Sequence, residues 1–143
     1  MTALRTEVLL CTGSDERFPP THITDGNPNN FYLSTGSFPH EIILGFKGGV
    51  AANIQKISLS SSAVKHLVIH RCTDAKALEY EEVVDCQLNN REGNRQVEQF
   101  QVNATTVGSR VRFLKFSLQS GYEPFAGIFD ITIEGEEIAG SEA

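Results

Sequence analysis

Tryptophan is absent from this sequence, and cysteine occurs only at Cys11, Cys72 and Cys86. An odd number of cysteines at wide spacing, with no CxxC pair, excludes a disulfide framework and a zinc ribbon. Reduced, half-buried thiols are expected instead. No apolar stretch reaches the roughly 20 residues that a bilayer-spanning helix requires, so membrane insertion is not expected. Positive charge is scarce: 12 Lys and Arg stand against 18 Asp and Glu, for a formal net charge of −6. That balance lacks the basic footprint of proteins that bind nucleic acid or anionic membranes. The first five residues carry no hydrophobic signal core. This predicts a cytoplasmic location and makes the glycosylation sequon at Asn103-Ala104-Thr105 a chance match.

Catalytic patterning is also missing. His22, His40, His66 and His70 are scattered. His66 and His70 can share a strand face, yet no Cys or carboxylate stands beside them in sequence at metal-ligand spacing. There is no Gly-x-Ser-x-Gly elbow to present a nucleophile. The run Gly45-Phe46-Lys47-Gly48-Gly49 lacks the Lys-Ser/Thr pair of a phosphate loop and reads as a hairpin turn. Glu79, Glu81, Glu82 and Asp85 read as a solvated strand face. No acid, base and nucleophile assemble, so an enzyme is not expected.

What the chain does contain is period-two alternation of β-branched and aromatic residues, without a helical stripe. Strands are expected over residues 7–11, 41–46, 53–60, 66–72, 80–88, 97–103, 110–119 and 127–134. The clearest runs from Val111 to Leu118, with one mostly apolar face and one mixed face. Turn signals fall at Gly48-Gly49, Ser60-Ser61-Ser62, 89–94, Gly108 and Gly121. About eight short strands between such signals predict an all-β, antiparallel β-sandwich of jelly-roll type, as one domain over 1–135. A small acidic tail, 136–143, is expected to fray, together with Gly135.

One segment stands out. In Asp25-Gly26-Asn27-Pro28-Asn29-Asn30-Phe31-Tyr32, short oxygen-bearing side chains cluster around residues that force the backbone to turn. Gly26 can take φ > 0, and Pro28 biases Asn27 toward an extended conformation. Such a turn can direct carbonyl and carboxylate oxygens inward, as a hard cation requires. Ordinary turn chemistry accounts for the same residues, since Asx and Gly populate surface loops. Taken alone, these residues leave both readings open.

A resemblance adds to this. Residues 14–20 (Ser-Asp-Glu-Arg-Phe-Pro-Pro), Ile23-x-Asp25-Gly26-Asn27-Pro28, Phe31-Tyr32, Thr35-Gly36 and Phe38-Pro39-x-Glu41 resemble the galactose-binding-like, or discoidin-type, β-sandwiches. Within them the chain is most similar to the small subunits of intraflagellar transport complex B that pair with a Rab-like GTPase subunit, a family also labelled heat-shock protein beta members. The stretches Arg112-Phe113-Leu114-Lys115-Phe116, Phe125-Ala126 and Ile133-Glu134-Gly135 are similar to its closing strands. The chain departs in having Tyr32 where the family has Trp, Asn30 where it has Thr, and His22 where it has Asn.

The resemblance implies a structural calcium ion (Ca²⁺) held by the Asp25 carboxylate, the His22 and Asn27 carbonyls, Asn30, the Ile133 carbonyl and the Glu134 carboxylate. It implies a heterodimer with the Rab-like small GTPase subunit. Further partners would be other complex B subunits and BBSome-linked cargo, at the cilium or flagellum and the basal body. The loop bearing Ser34, Thr35, Gly36 and Phe38 is the expected partner surface. Two alternatives stand beside this: a carbohydrate-binding discoidin-type module using Tyr122, Phe125, Phe38 and His40, and another intracellular adaptor on the same fold.

Overall fold

A computed structural model describes residues 2–11, 32–33, 38–73, 79–89, 95–123 and 126–138. Ten strands form: β1 (Thr2–Ala3), β2 (Thr6–Cys11), β3 (Tyr32–Leu33), β4 (His40–Phe46), β5 (Ala52–Ser62), β6 (Val64–Cys72), β7 (Glu81–Gln87), β8 (Gln96–Gln101), β9 (Phe113–Gly121) and β10 (Gly127–Glu137). They make two sheets. One runs β1-β10-β5-β8, with β3 also on β10; the other runs β2-β4-β9-β6-β7. Every ladder is antiparallel. The result is a galactose-binding-like jelly roll.

The core lies between the inner faces. Ile54, Ile57 and Leu59 of β5 and Ile131 and Ile133 of β10 face Ile42 and Leu44 of β4, Leu67 and Ile69 of β6, and Leu114, Phe116 and Leu118 of β9. Each such side chain, fully removed from water, contributes about 1.5–3 kcal/mol. The alternation read at Val111 to Leu118 is the cause: Leu114, Phe116 and Leu118 point inward at every second residue.

All eight expected strands form, with shifted ends. The serine run does not turn the chain. β5 continues to Ser62 because Ser61 is buried and its hydroxyl donates to Gln96 Oε1 at 3.0 Å; the turn falls at Ala63, at φ 63°. Residues 110–112 do not begin the ninth strand. Arg110 sits at φ 53° at the end of a turn in which Gly108 N donates to Asn103 O at 2.8 Å. Gly135 does not fray: it pairs with Ile54 on one side and Thr2 on the other, and β10 runs three residues beyond the expected end. A Cβ at Gly135 would collide with the Asn53 carbonyl, so only glycine lets β5 approach so closely. The two-residue strands β1 and β3 were not expected; two residues carry no alternation to read.

Candidate metal centre and partner surface

β10 is the strand on which the candidate centre is built. β5 covers one of its edges. On the other edge, β3 lies at Gly127–Ile128 and β1 at Glu134–Gly135. The chain's first strand and the strand that follows residue 31 therefore meet the same edge of the last strand. His22, Asp25, Asn27 and Asn30 lie outside the described residues, but both ends of their segment are fixed. It leaves the second sheet at Cys11 and rejoins the first at Tyr32, opposite Ile128. Tyr32 is fully buried, and the Tyr32 hydroxyl is hydrogen-bonded to the Cys11 thiol. Burial, then that hydrogen bond, drives the phenol far above its ordinary value; burial also pushes the Cys11 thiol up. The slot where the family has Trp is thus filled by Tyr with its polar atom satisfied.

The two implied ligands on β10 are present, and both are already engaged. The Ile133 carbonyl accepts from Leu4 N at 2.8 Å, leaving one lone pair. Glu134 faces Lys56, its cross-strand partner on β5, with Oε2 3.5 Å from Nζ. That oxygen is buried and takes no hydrogen bond, so the contact is an ion pair outside good hydrogen-bond range. Glu134 also lies six residues from Ile128, about 20 Å along the strand.

Asp130 is a second carboxylate on β10. It stands two residues from Ile128, on the exit side of the segment, and next to a bulge: the ladder with β5 shifts between Ile128 and Asp130. One of its oxygens, Oδ2, accepts from the Thr132 hydroxyl at 2.7 Å. Among the described residues, no Lys or Arg pairs with it. Among the described residues, no three His, Cys, Asp or Glu side chains are grouped to hold a metal ion.

Ser34, Thr35 and Gly36 of the partner surface lie outside the described residues. Phe38 does not stand out as an anchor. It packs half-buried against the core, edge-on to His40 with ring centroids 5.1 Å apart. Gly121 makes the room, since a Cβ there would meet Phe38 Cζ at 2.7 Å. His40 is buried at 3% exposure and its Nε2 has no partner. Tyr122 is tethered by its hydroxyl, which donates to Leu88 O at 2.6 Å.

The outer face of the second sheet carries the acidic run of β7 as expected, and two of its carboxylates, Glu81 and Asp85, have basic partners. His66 Nε2 is 2.7 Å from Asp85 Oδ1, and Arg71 NH2 is 3.1 Å from Glu81 Oε1. Arg71 also donates to the carbonyls of Thr106 and Ser109, fastening β6 to the turn before β9. His70 is held below its ordinary value by burial and then by the Lys115 ammonium.

No protein-family model matches the chain. Solved structures share its fold at low identity. A family 32 CBM of C. perfringens NanJ in complex with galactose has a TM-score of 0.76 at 15% identity, covering 92% of this chain and 97% of that one. Reduced XRCC1 bound to the DNA pol beta catalytic domain has a TM-score of 0.78 at 12% identity, covering 94% and 99%. At these identities the likeness shows the fold alone. Curated relatives are closer in sequence. The intraflagellar transport protein 25 homolog of Homo sapiens is 32% identical over 93% of this chain and 88% of its own. Intraflagellar transport protein 25 of Chlamydomonas reinhardtii is 34% identical over 90% of this chain and 64% of its own. The homolog of Mus musculus is 37% identical over 91% of this chain and 87% of its own, and the chain belongs to the intraflagellar transport protein 25 family.

Proposed function

We propose that this chain is a non-catalytic subunit of intraflagellar transport complex B. It docks a Rab-like small GTPase subunit one-to-one and supports export of ciliary cargo with the BBSome. The observation that carries this reading is sequence identity above 30% across nine-tenths of the chain to proteins named for intraflagellar transport. The acidic balance and the lack of a helix long and apolar enough to cross a membrane, among the described residues, agree with a subunit recruited through protein contacts. The small residues Ser34, Thr35 and Gly36 are the contact points; they let a partner's backbone approach. Phe38, half-buried against the core, completes the set, and a loop ordered in advance lowers the entropy cost of association.

A calcium ion completes the loop in this reading. Its ligands are the Asp25 carboxylate, the His22 and Asn27 carbonyls and Asn30. From β10 come the Ile133 carbonyl and the Glu134 carboxylate, whose Oε2 also lies 3.5 Å from Lys56 Nζ. The residues fit a hard cation: two carboxylates, Asp25 and Glu134, and neutral oxygens, with Glu134 Oε2 buried and without a hydrogen bond among the described residues. Bound there, the ion would tie segment 12–31 to the closing strand.

The carbohydrate-binding alternative finds little support among the described residues, because His40 is buried, Phe38 packs inward and Tyr122 is tethered. Affinity purification of the tagged chain from ciliated cells tests the reading. A Rab-like GTPase recovered at one-to-one stoichiometry is expected. Specific retention on a glycan array with no such GTPase would favour the sugar-binding module.

A further inference from the structure

β2 edges the second sheet, and two consecutive leucines on it face water: Leu9 is 50% and Leu10 48% exposed. The cause is a bulge. Val8 pairs with Leu44 and Leu10 with Ile43, so Leu9 has no residue opposite it in β4. That extra residue breaks the alternation. Val8 still packs against the core, while Leu9 and Leu10 stand outside it. Leu9 leans over Gly45, where a Cβ would meet Leu9 Cδ1 at 2.7 Å and Phe113 Cδ1 at 3.6 Å. Ile43 and Phe113, both half-buried, also lie outside the core cluster. Leu9, Leu10, Ile43 and Phe113 therefore make one apolar patch across β2, β4 and β9.

The rim of this patch is basic in a chain whose formal net charge is −6. Arg5 and Lys47 are exposed and adjacent, since Lys47 N donates to Arg5 O at 3.0 Å. Neither side chain has an acidic partner among the described residues. Arg112, next to Phe113, donates to Gly49 O at 3.1 Å and adds a third cation. Glu7, opposite Gly45, is the acid among them. The excess is positive, and it favours a partner of opposite sign.

The bulge also narrows the kind of partner. A strand added at an edge needs a regular row of backbone donors and acceptors, and a bulge interrupts that row. The side-chain face remains. Three strands about 4.8 Å apart span about 10 Å, which is the length of two helical turns. We infer that this patch docks an amphipathic helix of a partner protein, with apolar side chains at i, i+4 and i+7 on the leucines and acidic side chains toward the basic rim. The surface is distinct from the loop proposed for the GTPase. Phe38 meets Gly121 at one end of β9, and Phe113 stands at the other, about 27 Å away along the strand.

The test uses two hydrocarbon-stapled peptide helices with Leu at i, i+4 and i+7, one flanked by Glu and the other by Lys. Each is titrated into the isotope-labelled chain and followed by two-dimensional NMR. The acidic helix should bind saturably, with shifts confined to residues 5–10, 43–47 and 112–115, and the basic helix about tenfold more weakly or not at all. Leu10→Ser removes an exposed anchor; it should weaken the acidic helix about tenfold while melting as wild type. Lys47→Glu should narrow the preference between the two peptides. Should Leu10→Ser melt lower, Ile43→Thr, which keeps a β-branched residue in the strand, gives the same comparison. No saturable shifts, equal affinity for the two peptides, or full affinity in a folded variant of the patch would overturn the proposal. A dimer of the wild-type chain that Leu10→Ser abolishes would assign the patch to a second copy and overturn it too. Binding should persist in the heterodimer with the GTPase; its loss there would give the patch to the GTPase instead. Failure of the heterodimer to form leaves the peptide result on the single chain standing, so the two readings fail separately.

Discussion

Tyr32 and Cys11, the residues that bracket segment 12–31, are joined by a side-chain hydrogen bond that also links the two sheets. The base of the segment is therefore closed by the protein itself, independently of any ion. Removing the bond by Tyr32→Phe or Cys11→Ala should each destabilise the chain. The double variant should fall short of additivity by about 1 kcal/mol, the worth of one buried hydrogen bond. Urea midpoints measure this; strict additivity would mean that the two side chains do not cooperate.

The same pair predicts an alkaline weakness. Both pKa values are raised on folding, from ordinary values of 9.0 for Cys11 and 10.0 for Tyr32. The unfolded chain releases these protons first. The contribution of this pair is thus constant below pH about 9 and falls as pH rises beyond it. Urea unfolding at pH about 8 and about 10.5 should show the decline, and Tyr32→Phe should make it shallower. It does not abolish it, because burial also raises Tyr80 and Cys86.

Gln96 is a buried polar clamp. Its Oε1 accepts from Ser61 Oγ and Val64 N, each at 3.0 Å, and its Nε2 donates to Val64 O at 2.7 Å and Asn89 O at 2.9 Å. These bonds hold the crossing from β5 to β6 against the start of β8. Gln96→Leu keeps the volume and orphans the partners, so a loss of about 3 kcal/mol is expected by chemical denaturation. A loss below about 1 kcal/mol would show that water replaces the clamp.

The fold was legible where residues alternate and illegible where a residue's role depends on a distant partner. Leu114, Phe116 and Leu118 announce an inward face by spacing alone. Ser61 reads as a turn former until Gln96, thirty-five residues away, takes its hydroxyl. Gly135 reads as a strand end until the Asn53 carbonyl is seen against it. The candidate site divides the same way. Asp25 and Asn27 stand out because turn residues cluster locally. The Glu134 carboxylate does not stand out from the residues alone, since only the folded ladder shows its buried oxygen beside Lys56.

Calcium should act through Asp25. At a free concentration about one hundred times the dissociation constant, a ligand bound only by the folded state adds about 2.7 kcal/mol. For a chain of this size that is a rise in Tm of about 5 °C or more. Asp25→Ala should remove that rise and leave Tm in chelator close to wild type. Equal wild-type melting with and without excess calcium would remove the metal from the account.

The most direct test of the central claim is reconstitution with the Rab-like GTPase subunit, followed by mass measurement of the purified complex. The wild-type chain should form a one-to-one heterodimer. Thr35→Arg places a long charged side chain among small contact residues, and should abolish the complex while leaving circular dichroism and Tm unchanged. A wild-type chain that stays monomeric beside the GTPase, or a folded Thr35→Arg variant that still forms the heterodimer, would contradict the account.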